Sequence, residues 1–387
     1  MRDLSVLFAP VTVNGMTLPN RIVMSPMGRN FADNGIQPPE FGDYFARRAR
    51  GGVGLCIGEA AAIDHPVASA GTSYAAFHGS EALGAWRRIV ERVHAEGGRF
   101  MPQLWHAGLL RSPRSDHPKI PNAHLAPMGP SGWAEPLVHK AGWTIPIDEA
   151  AQIGEPMTES DIADVIDAFA RAAVDAQAIG CDGINIHGAH GYIIDQFFWD
   201  RTNLRTDGYG GGTSEERIRF AVELIAETRR RVGPDFPIFF RWSQWKQQDY
   251  HVKLCATPAE LERFLGPLSD AGVDLFDCST RRFWEPEFTG STLNLAGWTK
   301  KLTGKPTMTV GSVGLARSNY GDGGEQALSD SGLASLDPLI ERLEAGEFDL
   351  VGVGRMLISN PEWPNQLQDG RLDEIMPYRN TDLLTLT

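Results

Sequence analysis

The feature that most limits what this chain can become is its alternation. Short apolar runs trade places with longer segments of helical period from one end of the sequence to the other. Strands are expected at 22–25, 54–60, 100–105, 183–187, 237–242, 273–278, 306–310 and 350–353. Helices are expected at 43–50, 80–96, 158–179, 214–231, 258–271, 336–345 and 361–367. In the second of these, Leu83, Trp86, Ile89, Val90 and Val93 recur at helical spacing. Thr158 is an N-cap, with Glu159 and Asp161 in the first turn behind it. Consecutive parallel strands need crossovers, and helices supply them. Eight such units close into a single (β/α)8 TIM barrel, so residues 1–387 read as one α/β domain. A doubly wound open sheet with a second domain is the competing architecture.

Two stretches stand outside the repeat. Residues 4–19 read as a hairpin with Asn14-Gly15 at its turn, placed to plug the N-terminal mouth of a barrel. Residues 107–156 are rich in Pro, Gly and His and leave the C-terminal end of the third strand, the face where barrel active sites lie. Charge narrows the partners. The net charge of −13, from 36 basic and 49 acidic residues, argues against nucleic acid and anionic membrane. Any anionic cofactor then needs local positive groups. The four cysteines, Cys56, Cys181, Cys255 and Cys278, are scattered, which argues against a zinc or iron–sulfur site. With no apolar run of membrane-spanning length and no leader-like N-terminus, the chain is expected to be cytoplasmic.

Chemistry concentrates at strand ends. Ile186-His187-Gly188-Ala189-His190-Gly191-Tyr192 closes the fourth strand, with Asn185 and His187 on one face and Ile184 and Ile186 on the other. Neutral imidazoles there can donate to a carbonyl oxygen, and a tyrosine hydroxyl can deliver a proton. Two other readings stay open: satisfied polar loop residues, or a metal held by His106, His187 and His190. Arg241, inside an apolar strand, is either a cation aimed at a ligand or half of a buried salt bridge. Gln103 shares a strand face with Met101 and Trp105, and its carboxamide suits the edge of a pyrimidine-like ring. Gly311-Ser312 after the seventh strand and Gly354-Arg355 after the eighth make a phosphate site in the barrel manner. Phe197, Phe198, Trp199, Phe283 and Trp284 are either pocket walls or ordinary loop packing.

Taken together, these motifs resemble the Old Yellow Enzyme family of FMN-dependent ene-reductases. The resemblance runs from Leu7-Phe8 and Pro10 through 18–27, then 103–106, and is most specific from His187 to Tyr192, Asp195 to Phe197 and Thr202 to Gly211. It implies FMN as cofactor and NADH or NADPH as donor. Pro26, Met27 and Gly28 would line the flavin, with Ala60 and Gln103 against its ring and Arg241 near its pyrimidine end. Gly311, Ser312, Gly354 and Arg355 would hold the phosphate. His187 and His190 would bind the activating oxygen of an alkene, Tyr192 would give the proton, and Trp105 and Trp284 would contact substrate. No metal is implied, and association into a homo-oligomer is left open. Many members carry threonine or cysteine where this chain has Gly28, and residues 244–250 match no motif of the family. The cysteine cluster of the larger iron–sulfur dienoyl-reductase relatives is missing, so the chain is expected to stand apart from them.

Overall fold

A computed structural model describes residues 2–111, 119–135, 150–316 and 330–387. Eight parallel strands form its centre: β1 (Ile22–Met24), β2 (Leu55–Ala62), β3 (Arg99–Trp105), β4 (Ile184–His187), β5 (Ile238–Trp242), β6 (Leu275–Ser279), β7 (Thr307–Val310) and β8 (Leu350–Val353). The ring closes where β8 pairs with β1, Val351 opposite Ile22, and β1 pairs with β2, Val23 opposite Leu55. A closed sheet has no edge to protect, which removes the open-sheet alternative. The crossovers include α1 (Glu40–Arg50), α2 (Ser80–Ala95), α3 (Glu159–Ala178), α4 (Arg219–Val232), α5 (Pro258–Ala271), α6 (Leu295–Thr303) and α7 (Asp337–Glu344), and α8 (Trp363–Gln368) follows the last strand.

Local chemistry explains several boundaries. Thr158 caps α3 in a reciprocal box: its Oγ1 accepts from the Asp161 N–H at 3.2 Å, and the Asp161 carboxylate accepts from the Thr158 N–H at 2.8 Å. Thr257 caps α5, with Pro258 at the first helical position, where its missing N–H costs nothing. Helix α6 had no sequence assignment of its own. Asn294 begins it by accepting from the Gly297 N–H at 2.9 Å.

The barrel separates two apolar layers. Alternate strand residues such as Ile22, Ile184, Ile238 and Phe240 join the layer beneath the helices. Val23, Leu55, Ile57, Met101, Phe239, Leu275, Met308 and Leu350 fill the barrel with Val13, Met16 and Leu18. Those last three come from the hairpin Val11–Val13 and Met16–Leu18, which seals the N-terminal mouth. Its turn residues Asn14 and Gly15 have φ of 43° and 77°, as the mirror-image hairpin turn requires. Further along the strands, the inward positions turn polar: Gln103, Asn185, Arg241 and Asp277. The change marks the functional end of the barrel.

In the stretch after β3, Met128–Gly129 pairs with Glu155–Pro156, and Trp133–Ala134 pairs with Ala151–Gln152. Residues 112–118 and 136–149 of that stretch lie outside the described residues.

Candidate active site

The polar end of the barrel is wired before it meets any ligand. Gln103 Nε2 donates to Asn185 Oδ1 at 2.8 Å, and Asn185 Nδ2 donates to Asp277 Oδ2 at 2.9 Å. Arg241 grips the same carboxylate through Nε at 2.7 Å and Nη2 at 3.1 Å. Both readings of Arg241 therefore hold: it is half of a buried salt bridge, and it lines the cavity above. Its charge is offset by Asp277, so it is a fixed, oriented donor rather than an isolated cation.

A cavity of about 240 Å³ opens over this network. Pro26, Met27, Gly28 and Ala60 supply small or apolar walls, and Gln103 and Arg241 supply polar ones. His187, His190, Tyr192 and Trp105 border the same space. A second cavity of about 190 Å³ shares Pro26, Met27, Arg241, Trp245 and Arg355 with the first, so the two are ends of one cleft. Gly311, Ser312 and Gly354 line this second end. Three arginines, Arg241, Arg281 and Arg355, face it, and among the described residues that line it there is no carboxylate. In a chain of net charge −13, that is a local anion site. Ser312 sits at φ 53° and donates its hydroxyl to the Arg281 carbonyl at 3.0 Å, which braces the loop. A cavity of mixed polar and apolar lining joined to a cationic end suits the chemistry of FMN, a ring system that carries a phosphate.

The β4 motif turns sharply to reach the cleft. A Cβ at Gly188 would stand 2.3 Å from the Phe240 ring, so only glycine lets the chain cross there. His190 is held at φ 66°, a left-handed conformation that a non-glycine residue adopts only when its surroundings hold it. The His187 and His190 rings lie 5.0 Å apart at 86°, and Tyr192 lies 4.9 Å from His187. Tyr192 also meets Trp105 edge-on at 5.2 Å. Burial, then Arg241, holds the His187 imidazole well below its ordinary value. Burial, then His187, Arg241 and Lys246, does the same to His190. Both rings are neutral near pH 7 and offer hydrogen bonds rather than charge.

Some expected residues are elsewhere. Trp284 lines neither cavity: it packs edge-on against Phe283, and its carbonyl accepts from Arg342 Nη2 at 2.9 Å. Phe197 stacks on Phe220 at 4.3 Å and Phe198 meets Phe264 at 4.9 Å, so a short helix, Ile193–Phe198, spends these rings on packing. His106 does not join the other two histidines. Its Nε2 lies 2.9 Å from His65 Nδ1, outside the cleft lining. Among the described residues, no three His, Cys, Asp or Glu gather as metal ligands.

Other cleft residues carried no sequence signal. Residues 244–250 prove to be a wall: Trp245 stacks on His190 at 4.4 Å and 23°, and Gln247 lines the first cavity. Lys246, fully buried, pairs with fully buried Asp195, which also accepts from the Gly191 N–H at 2.7 Å. Glu59 enters the lining where the β2–β3 register shifts between Ile57 and Ala60, and it accepts from the Arg29 N–H at 2.5 Å. Tyr378 and Leu383 close the cleft from the far end of the chain. Arg29 secures that segment through the carbonyls of Asp382, Leu383 and Thr385, at 3.3, 3.2 and 2.6 Å.

Comparison with known proteins agrees with this geometry. The model of the NADH:flavin oxidoreductase / NADH oxidase family matches residues 6–374. An NADH oxidase of Thermoanaerobacter brockii is 32% identical over 378 residues, covering 95% of this chain and 52% of the relative. A 12-oxophytodienoate reductase 7 of Oryza sativa subsp. japonica is 30% identical over 366 residues, covering 92% of this chain and 86% of the relative. The chain spans about half the length of the longer curated relatives it matches. The solved Old Yellow Enzyme homologue from Zymomonas mobilis superposes with a TM-score of 0.77, covering 98% of this chain and 97% of that one; at 23% identity it speaks for the fold. With the barrel closed, the cleft formed and the family match running from residue 6 to 374, this chain belongs to the NADH:flavin oxidoreductase / NADH oxidase family, whose cofactor is FMN.

Proposed function

We propose that this chain reduces the carbon–carbon double bond of small alkenes activated by a carbonyl or similar group, at the expense of NADH or NADPH. When bound, FMN would supply hydride-transfer chemistry between the nicotinamide and the alkene, its ring held by Pro26, Met27, Gly28, Ala60, Gln103 and Arg241 and its phosphate by Gly311, Ser312, Gly354 and Arg355. The protein's part is to bind the activating oxygen and to provide a proton. His187 is buried, His190 half-buried, both are neutral with rings 5.0 Å apart, and each can donate an N–H to one oxygen. Donors aimed at an oxygen stabilise the negative charge that develops there as hydride reaches the β-carbon. The contacts of Tyr192 with His187 and Trp105 at the cavity support it as the group that protonates the α-carbon. Trp105, stacked on Tyr74 at 5.4 Å, is thereby held beside the Tyr192 ring.

The observation that carries this reading is the convergence of His187, His190 and Tyr192 on one cavity that runs into a second, arginine-lined one with no carboxylate among its described lining residues. Purified holoenzyme given cyclohexenone and NADPH or NADH without oxygen should yield cyclohexanone, with one nicotinamide consumed per alkene. Nicotinamide oxidation that requires oxygen and leaves the enone intact would refute it.

A further inference from the structure

A neutral imidazole carries one N–H and one lone pair, so the nitrogen that bears hydrogen decides whether the ring attracts or repels a ligand oxygen. Three contacts bear on His190. Its Nε2 lies 2.8 Å from Ser279 Oγ at the end of β6. Trp245 stacks on the same ring. The Trp245 Nε1 donates to the Ser279 carbonyl at 3.1 Å, so one β6 residue holds both members of the stack. Ser279 is buried, and among the described residues His190 is the one partner of its hydroxyl. A buried hydroxyl hydrogen without an acceptor is costly, so the hydroxyl donates to Nε2. His190 then carries its hydrogen on Nδ1. His187 is set the other way: the Ala189 N–H donates to its Nδ1 at 3.4 Å, which leaves the hydrogen on Nε2.

We propose that Ser279 is a positioning residue: it fixes His190 as the Nδ1–H tautomer and, through Trp245, fixes the plane of the ring, so that both histidines offer an N–H to one ligand oxygen. The inference rests on the reading of the pair as an oxygen-binding site. In the reverse tautomer His190 would donate to Ser279 and turn a lone pair toward the ligand, where it would oppose the negative charge it is meant to stabilise. The serine hydroxyl prevents that by filling Nε2 from behind.

The test uses FMN-loaded protein labelled with ¹⁵N-histidine, as the parent, Ser279→Ala and Ser279→Thr. Ligand-free parent should show His190 as Nδ1–H, Ser279→Ala should show mixed or reversed tautomers, and Ser279→Thr should restore the parent signal. Phenol titrated calorimetrically should bind Ser279→Ala about three- to tenfold more weakly, the worth of one net hydrogen bond, and Ser279→Thr nearly as well as the parent. A serine that merely packs would lower stability and leave the tautomer alone. Parent protein with His190 as Nε2–H overturns the proposal, as does a Ser279→Ala protein with unchanged tautomer or unchanged phenol affinity. A parent that binds no phenol refutes the oxygen-binding reading instead, and the ligand-free tautomer still decides the role of Ser279.

Discussion

Lys246→Met should be among the most damaging single changes near the cleft, and its cost can be worked out. Lys246 and Asp195 are fully buried and pair with each other. Burial already pushes the Asp195 carboxyl above its ordinary value despite the lysine. Without Lys246 the carboxylate keeps only the Gly191 N–H among its described partners. Removing one member of a buried pair costs about 3–5 kcal/mol, most of it the price of the orphaned charge. Unfolding entropy of about 2.1 cal/mol/K per residue gives roughly 0.8 kcal/mol/K over 387 residues. The melting temperature of FMN-saturated protein should therefore fall by roughly 4–6 °C. Adding Asp195→Asn removes the orphan and should recover most of the loss, a non-additivity that marks a true pair. The sign with pH follows. A carboxyl raised in the folded state holds a proton that the unfolded chain releases, so the variant loses stability as pH rises from about 4 through that raised value. Its deficit should be largest at neutral pH and smaller near pH 5. Scanning calorimetry at both pH values, in excess FMN, measures it. A loss under 1 °C, or a double variant no better than the single, would refute the account of this pair.

Three further outcomes are expected. Tyr192→Phe should slow enone turnover by about 10²–10⁴-fold, the usual worth of a positioned acid, while stopped-flow reduction by NADPH keeps its parent rate; equal slowing of both steps would contradict the proton-donor role. Gly28 lines the cleft. Gly28→Thr should raise the FMN midpoint potential by about 10–30 mV, one net hydrogen bond of ~0.5–1.5 kcal/mol on a two-electron scale; spectroelectrochemistry showing no rise would refute it. Trp284→Phe should leave the KM for cyclohexenone unchanged, and a several-fold rise would return Trp284 to the substrate wall.

Much of the fold was legible because its signals are local. Strand residues 350–353 and helix residues 258–271 match the structure end to end, since period, cap and proline lie within the segment itself. The hairpin was legible from Asn14-Gly15; the structure confines its strands to Val11–Val13 and Met16–Leu18, whose Val13, Met16 and Leu18 fill the barrel mouth. The β4 motif was legible because histidine and glycine at a strand end are uncommon and specific. What stayed hidden depends on distant partners. Lys246 reads as a solvated loop charge until Asp195, 51 positions earlier, is seen beside it. Glu59 reaches the cleft lining at a register shift that no pattern in β2 announces. Leu383 becomes a wall because Arg29 ties its segment down, and Tyr378 because its backbone pairs with Ser331. For Phe197 and Phe198 the sequence left pocket wall and packing open, and the structure packs both on helix residues, while Trp284, expected at the substrate, packs on Phe283.

The central claim is that an oxygen-bearing ligand sits against FMN on the His187–His190 pair. Titration of the yellow holoenzyme with a phenol, read in its visible spectrum, tests this most directly. The account predicts a long-wavelength charge-transfer band that saturates in the parent and is lost, or needs far more phenol, when His187 and His190 are both replaced by alanine while FMN stays bound. A parent that gives no band, or a double variant whose titration overlays the parent's, would contradict it.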